Sequence, residues 1–125
     1  MREIKFRGKS HDGEWVYGEL HLKSAHPHIH SSMLTSRPID ISTIGQYTGL
    51  KDKNGREIYE GDIIRTYGTK GDEIKHSVEY SDEEAMFCTK LIGAKMLGGS
   101  ITQRWLKEFE FEVIGNIHDN PELLK

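Results

Sequence analysis

Thr43-Ile44-Gly45-Gln46-Tyr47-Thr48-Gly49-Leu50-Lys51-Asp52-Lys53-Asn54-Gly55-Arg56-Glu57-Ile58-Tyr59-Glu60-Gly61-Asp62-Ile63-Ile64 reads as a hairpin that feeds a second strand. Asn54 and Gly55 both tolerate positive φ, which marks a tight turn. Register selects the turn. A two-residue loop sets Asp52 against Glu57, two like charges. A three-residue loop with Gly55 as left-handed bulge sets Asp52 against Arg56, Lys51 against Glu57 and Leu50 against Ile58. Opposite-charge and apolar cross-strand pairs contribute roughly 0.2–1 kcal/mol each, so the bulged turn is expected.

Beyond Tyr59 and Glu60, Gly61-Asp62 interrupts the alternation before the apolar Ile63-Ile64. Such an entry suits a chain that turns sharply into the next strand, with Asp62 accepting backbone hydrogen bonds. Asn54, Gly55, Gly61 and Asp62 are therefore read as turn residues. A catalytic grouping of Glu57, Glu60 and Asp62 is the lesser reading.

Working outward, Ile4 and Phe6 alternate with charged residues, and Asp12-Gly13 turns the chain into Trp15-Val16-Tyr17-Gly18-Glu19-Leu20, an N-terminal hairpin. Val16, Leu20 and Leu22 share one face and Trp15 and Tyr17 the other, so this strand has apolar bulk on both sides. From Lys23 to Thr43 the pattern dissolves into Ser, His and Thr with Pro27 and Pro38, which reads as a long loop, mobile or packed on a partner. Ile39 and Ile41 are expected to open a short strand.

Ile63–Tyr67, Ser77–Tyr80 and Ala85–Ile92 read as further strands. Ser81 with Glu84 matches a helix capping box, although the spacing after it supports only a turn. Ser100 with Gln103 is a second match, ahead of a short helix at 101–108. Phe109, Phe111 and Val113 then resume strand period, and Asn120-Pro121 can cap a final helical turn. The expected fold is mainly β: one domain over 1–125 with two small barrel-like lobes, 1–60 and an SH3-like 61–125, and one or two short helices.

The 125 residues carry 17 Lys and Arg against 20 Asp and Glu, a formal charge of −3. Residues 1–62 hold nine of each sign, and 63–125 hold eight basic and eleven acidic. Proteins that grip duplex nucleic acid through phosphates need a basic patch. The densest cluster, Arg2, Lys5, Arg7 and Lys9, includes Glu3, and alternation is expected to divide it between two faces; duplex binding is not expected. The single Cys88 rules out an internal disulfide framework and suits a reducing cytoplasm. It lies in an apolar strand without a basic neighbour to lower its pKa, so an inert thiol is expected. No apolar run approaches the roughly 18 residues of a membrane helix, and no secretion signal is expected.

His26, His28 and His30 carry the only metal-like spacing, since alternate strand residues point the same way and could present three imidazoles to zinc. Pro27 and the loop-like flanks favour solvated histidines instead. Trp15, Tyr17, Tyr47, Tyr59 and Tyr67 could form a stacking surface, or fill the core and subunit contacts. Gly98-Gly99 lacks the Lys-Ser/Thr of a phosphate loop, and no cofactor is expected.

The central stretch, with Arg2-Glu3-Ile4-Lys5-Phe6-Arg7-Gly8, Trp15-Val16-Tyr17-Gly18 and the closing Val113-Ile114-Gly115-Asn116-Ile117-His118-Asp119-Asn120-Pro121-Glu122-Leu123-Leu124, resembles the YopX family of phage and prophage proteins. The resemblance implies a mostly β fold, homo-oligomers and no assigned activity. The expectation is a cytoplasmic, non-catalytic module that assembles with itself and binds a host or phage protein. A metal-dependent enzyme using the histidine run, and a single-strand nucleic-acid binder using aromatics of the second lobe, are the alternatives.

Overall fold

A computed structural model describes residues 2–23, 26–94 and 97–125. They form two compact units, Met1–Gly49 and Leu50–Lys125. The division places the Asn54-Gly55 turn in the second unit.

The first unit is an antiparallel sheet of β1 (Phe6–Lys9), β2 (Trp15–Lys23), β3 (His26–Ser32), β4 (Thr35–Pro38) and the start of β5 (Gly45–Lys51), ordered β4-β3-β2-β1-β5. Its core is small: Val16, Ile29 and Ile39, with Phe6, Leu20 and Ile44 packed against them. β2 and β3 approach so closely at Gly18, whose φ is +151°, that a Cβ there would lie 2.1 Å from the His30 carbonyl oxygen. Only glycine allows that crossing.

Two expectations fail in this unit. The segment from Lys23 to Thr43 is no long loop, because its described part forms β3, β4 and a 3₁₀ turn at Ile41–Thr43. Pro27 and Ile29 are buried while His26, His28 and His30 keep the other face, so the period is two, with histidine as the outer residue. Pro27 sits near the strand's start opposite Leu22, and its carbonyl accepts from Ile39 N–H at 2.9 Å; a missing donor is tolerated at such a position. Ile39 and Ile41 do not open a strand either. Ile39 makes a single bridge to Ser10, and the Asp40 carboxylate accepts from Ser42 N–H at 3.0 Å, capping the 3₁₀ turn.

The second unit holds β6 (Glu57–Tyr59) and an antiparallel sheet of β7 (Asp62–Tyr67), β8 (Glu73–Ser81), β9 (Met86–Leu91), β10 (Leu97–Ser100) and β11 (Glu112–Asn116), ordered β10-β9-β8-β7-β11. The class is mainly β, as the alternation implies, but the sheet stays open and no barrel closes among the described residues. Ile58, Ile64, Val78, Ile101, Leu106, Phe111 and Val113 form its core, joined by Leu50, Phe87 and Trp105.

The one described α-helix, α1 (Gln103–Glu108), is capped by Thr102, whose hydroxyl accepts from Trp105 N–H at 3.1 Å. Ser100 is not the cap, since it still belongs to β10. Gln103 instead holds both backbone groups of Lys51, accepting at 3.0 Å and donating at 2.7 Å. After Ser81 the chain makes only a turn, in which the serine hydroxyl accepts from Glu84 N–H at 3.1 Å. Pro121 opens a closing 3₁₀ turn, whereas Asn120 does not cap it; its side chain accepts from Asn116 N–H at 3.2 Å.

Three hairpins share one turn. In Ser10–Glu14, Asp52–Arg56 and Gly68–Asp72, the first residue donates its N–H to the fifth carbonyl at 2.8–2.9 Å and accepts from the fourth N–H at 2.9–3.0 Å. The fourth residue is glycine each time, Gly13, Gly55 and Gly71, with φ of +87°, +79° and +80°. This is a type I turn closed by a glycine bulge.

Candidate functional site

The charged side chains inside the second unit serve its backbone. Asp52 is buried. Its Oδ1 accepts from Asn54 and Arg56 N–H, each at 2.9 Å, and its Oδ2 accepts from Val113 N–H at 2.9 Å. The Asp52–Arg56 register occurs, but the carboxylate turns inward and ties the hairpin to β11 rather than facing a cross-strand cation. Asp62, also buried, accepts from Tyr59 N–H at 2.7 Å across the Glu60-Gly61 turn, where Gly61 has a φ of +94°. Asn54 donates to Glu112 at 3.4 Å. The lesser reading grouped Glu57, Glu60 and Asp62. Glu57 accepts from the Tyr59 hydroxyl at 3.2 Å, and Asp62 is fixed on the turn.

The histidine run lies on one face of β3, and that face is larger than the run itself. His21 stands opposite His28, and Glu19 opposite His30. The rings of His21 and His30 are 4.0 Å apart at a 47° tilt, and His21 Nε2 is 3.6 Å from the Glu19 carboxylate. His28 Nδ1 lies 3.1 Å from the His26 carbonyl oxygen. The described contacts are local: one tilted ring pair, one carboxylate and one backbone carbonyl. Among the described residues, no three His, Cys, Asp or Glu side chains are placed to hold a metal ion.

Of the cluster Arg2, Lys5, Arg7 and Lys9, Arg7 and Lys9 share one face of β1, as residues two apart on a strand do. Arg7 and Lys9 both lie over the Trp15 ring, at 4.7 and 5.4 Å from its centroid, and Lys5 lies 5.2 Å from that of Tyr47. The aromatic residues split: Tyr47 and Tyr59 are buried, while Tyr17 and Tyr67 are exposed. Tyr67 carries the Arg65 guanidinium at 5.3 Å. Arg65 also pairs with Glu112, and this contact holds the Glu112 carboxyl below its usual range.

His76 is buried in the second core, edge-on to Trp105 and Phe111 at 5.6 and 5.4 Å, with Nδ1 3.0 Å from the Thr89 hydroxyl. Burial lowers its pKa from the usual 6.5. Cys88 is half-buried, and burial with the nearby Glu79 charge raises its thiol pKa, the condition of an unreactive thiol.

Two features escaped the sequence reading. The two-residue tip of the β3–β4 hairpin is Met33-Leu34, with relative exposures of 99% and 97%. Its signal was an apolar pair inside a polar run, concealed when that run was read as loop. The other is a cavity of about 280 Å³ in the second unit, lined by Tyr80, Met86, Cys88 and Gly99 and rimmed by Glu79 and Glu84. Its walls come from three strands, so no local motif announces it.

A model of the family described as YopX protein matches residues 5–125. The crystal structure of protein EF1440 from Enterococcus faecalis is similar, with 27% sequence identity, full coverage of both chains and a TM-score of 0.66. No curated protein matches the chain.

Proposed function

The chain belongs to the YopX family, and from that premise we propose that it is a non-catalytic binding module that assembles with copies of itself. The observation that carries this reading is the Met33-Leu34 tip. A two-residue hairpin loop normally recruits Gly, Asn or Asp, which suit its backbone. Two large apolar side chains held wholly in water contribute nothing to the unit's own core and gain free energy only when a partner covers them. The buried carboxylates agree with a binding role, since Asp52 and Asp62 are committed to backbone N–H groups.

The module works in the cytoplasm of a cell carrying a phage or prophage, in keeping with its free Cys88 and with the family it belongs to, and it meets a host or phage protein there. Sedimentation equilibrium tests the assembly. The expected result is a mass above one 14.3 kDa chain that falls toward it when Met33 and Leu34 are both replaced by Ser. A wild-type chain that sediments at 14.3 kDa at every concentration overturns the reading.

A further inference from the structure

We propose that the Met33-Leu34 tip of one copy seats in the Tyr80–Met86–Cys88–Gly99 cavity of a second copy. The inference rests on the self-assembly reading and names the surfaces that carry it.

Size and polarity match. The cavity holds about 280 Å³ and its exposed lining is mostly apolar. A cavity of about 150 Å³ already admits benzene, so this one accepts a Met or Leu side chain. Around the tip, Ser31-Ser32-Met33-Leu34-Thr35-Ser36 is uncharged, so no ion is desolvated on entry. Residues 26–38 carry three histidines and Arg37 but no carboxylate, whereas 79–84 carry Glu79, Asp82, Glu83 and Glu84 but no Lys or Arg. Arg37 already pairs with Asp12 and Glu14. Residues 26–38 therefore bring no carboxylate of their own to the acidic rim, which avoids the cost of setting like charges together.

The surfaces that meet differ, so either two copies exchange tips reciprocally about a twofold axis or each copy offers a tip to one neighbour and a cavity to another. The reciprocal exchange closes as a dimer, and the head-to-tail contact closes into a ring or propagates as a filament.

The cavity supplies its own probe. In a Leu34→Cys variant, oxidised at mildly alkaline pH with ¹⁴N and ¹⁵N copies mixed, the expected product is a disulfide between position 34 of one copy and Cys88 of another. Mass spectrometry of the cross-linked peptides identifies it by its mixed isotopes, and a Cys88→Ser change removes it. Gly99→Phe acts from the cavity side. A Cβ at Gly99 meets nothing within 4 Å, so the ring fills the space without straining the strand, and the association constant is expected to fall roughly tenfold or more. Multimers that give only 34–34 disulfides, or none, and that tolerate Gly99→Phe overturn the docking while leaving self-assembly intact. A wild-type protein that is monomeric throughout overturns both.

Discussion

Replacing Asp52 by Ala should destabilise the second unit far more than the loss of one turn residue suggests. Three backbone donors converge on this carboxylate, at 2.9 Å each. Val113 N–H is buried, and stranding it costs about 1–3 kcal/mol. Asn54 and Arg56 are exposed, so their N–H groups regain water and lose only the net value of a hydrogen bond, about 0.5–1.5 kcal/mol each. The total is about 2–6 kcal/mol. Asp52→Asn keeps the shape but sets an NH₂ against one donor group. Its cost should approach that of one stranded donor, about 1–3 kcal/mol. Arg56→Ala leaves the backbone bonds in place and should stay within about 0.5 kcal/mol of wild type, as surface changes do. Urea denaturation reads all three, and amide exchange at Val113 should accelerate in the Asp52 variants alone. If Asp52→Ala unfolds within 0.5 kcal/mol of wild type, or Arg56→Ala costs as much, the carboxylate is not the strut described here.

Gly18→Ala should cost about 1–3 kcal/mol or more, as overpacking does, because the new methyl group meets the His30 carbonyl; an unchanged melting temperature would contradict that crossing. Gly55→Val should cost roughly 1–2 kcal/mol for positive φ alone, while Gly55→Asn should be nearly neutral, and equal melting of the two variants would refute the bulged turn. His76 binds its proton less readily in the folded state than the usual 6.5. The unfolded chain then takes up the extra proton as pH falls below about 6.5. Stability should be constant through this group above that value and decline below it, by at most about 1.4 kcal/mol per pH unit. Urea midpoints between pH 7.5 and 5.5 should show a slope that His76→Phe removes, and an equal slope in the variant would place its origin elsewhere.

What the sequence made readable was local. Asn54-Gly55 and Asp12-Gly13 announce their turns because glycine at positive φ is a property of one residue, and Thr102 with Trp105 shows how easily a cap shifts by two positions when several hydroxyls are close in sequence. Pro27 conceals the β3 strand, because proline is depleted in strands, yet Pro27 and Ile29 are buried together on its inner face. That outcome depends on β2 and β4, which lie beyond any short window. Asp52 was read through its neighbour across the turn, whereas its partner Val113 lies 61 residues away. The cavity depends on three strands meeting, and the exposed tip on the hairpin that carries it.

Native mass spectrometry on protein purified without added metal tests the central claim most directly, because it counts subunits and weighs any bound species together. The account predicts masses of two or more whole 14.3 kDa chains with nothing further attached, and a bare single chain would contradict it. A single chain carrying the added mass of a metal ion or an oligonucleotide would contradict it.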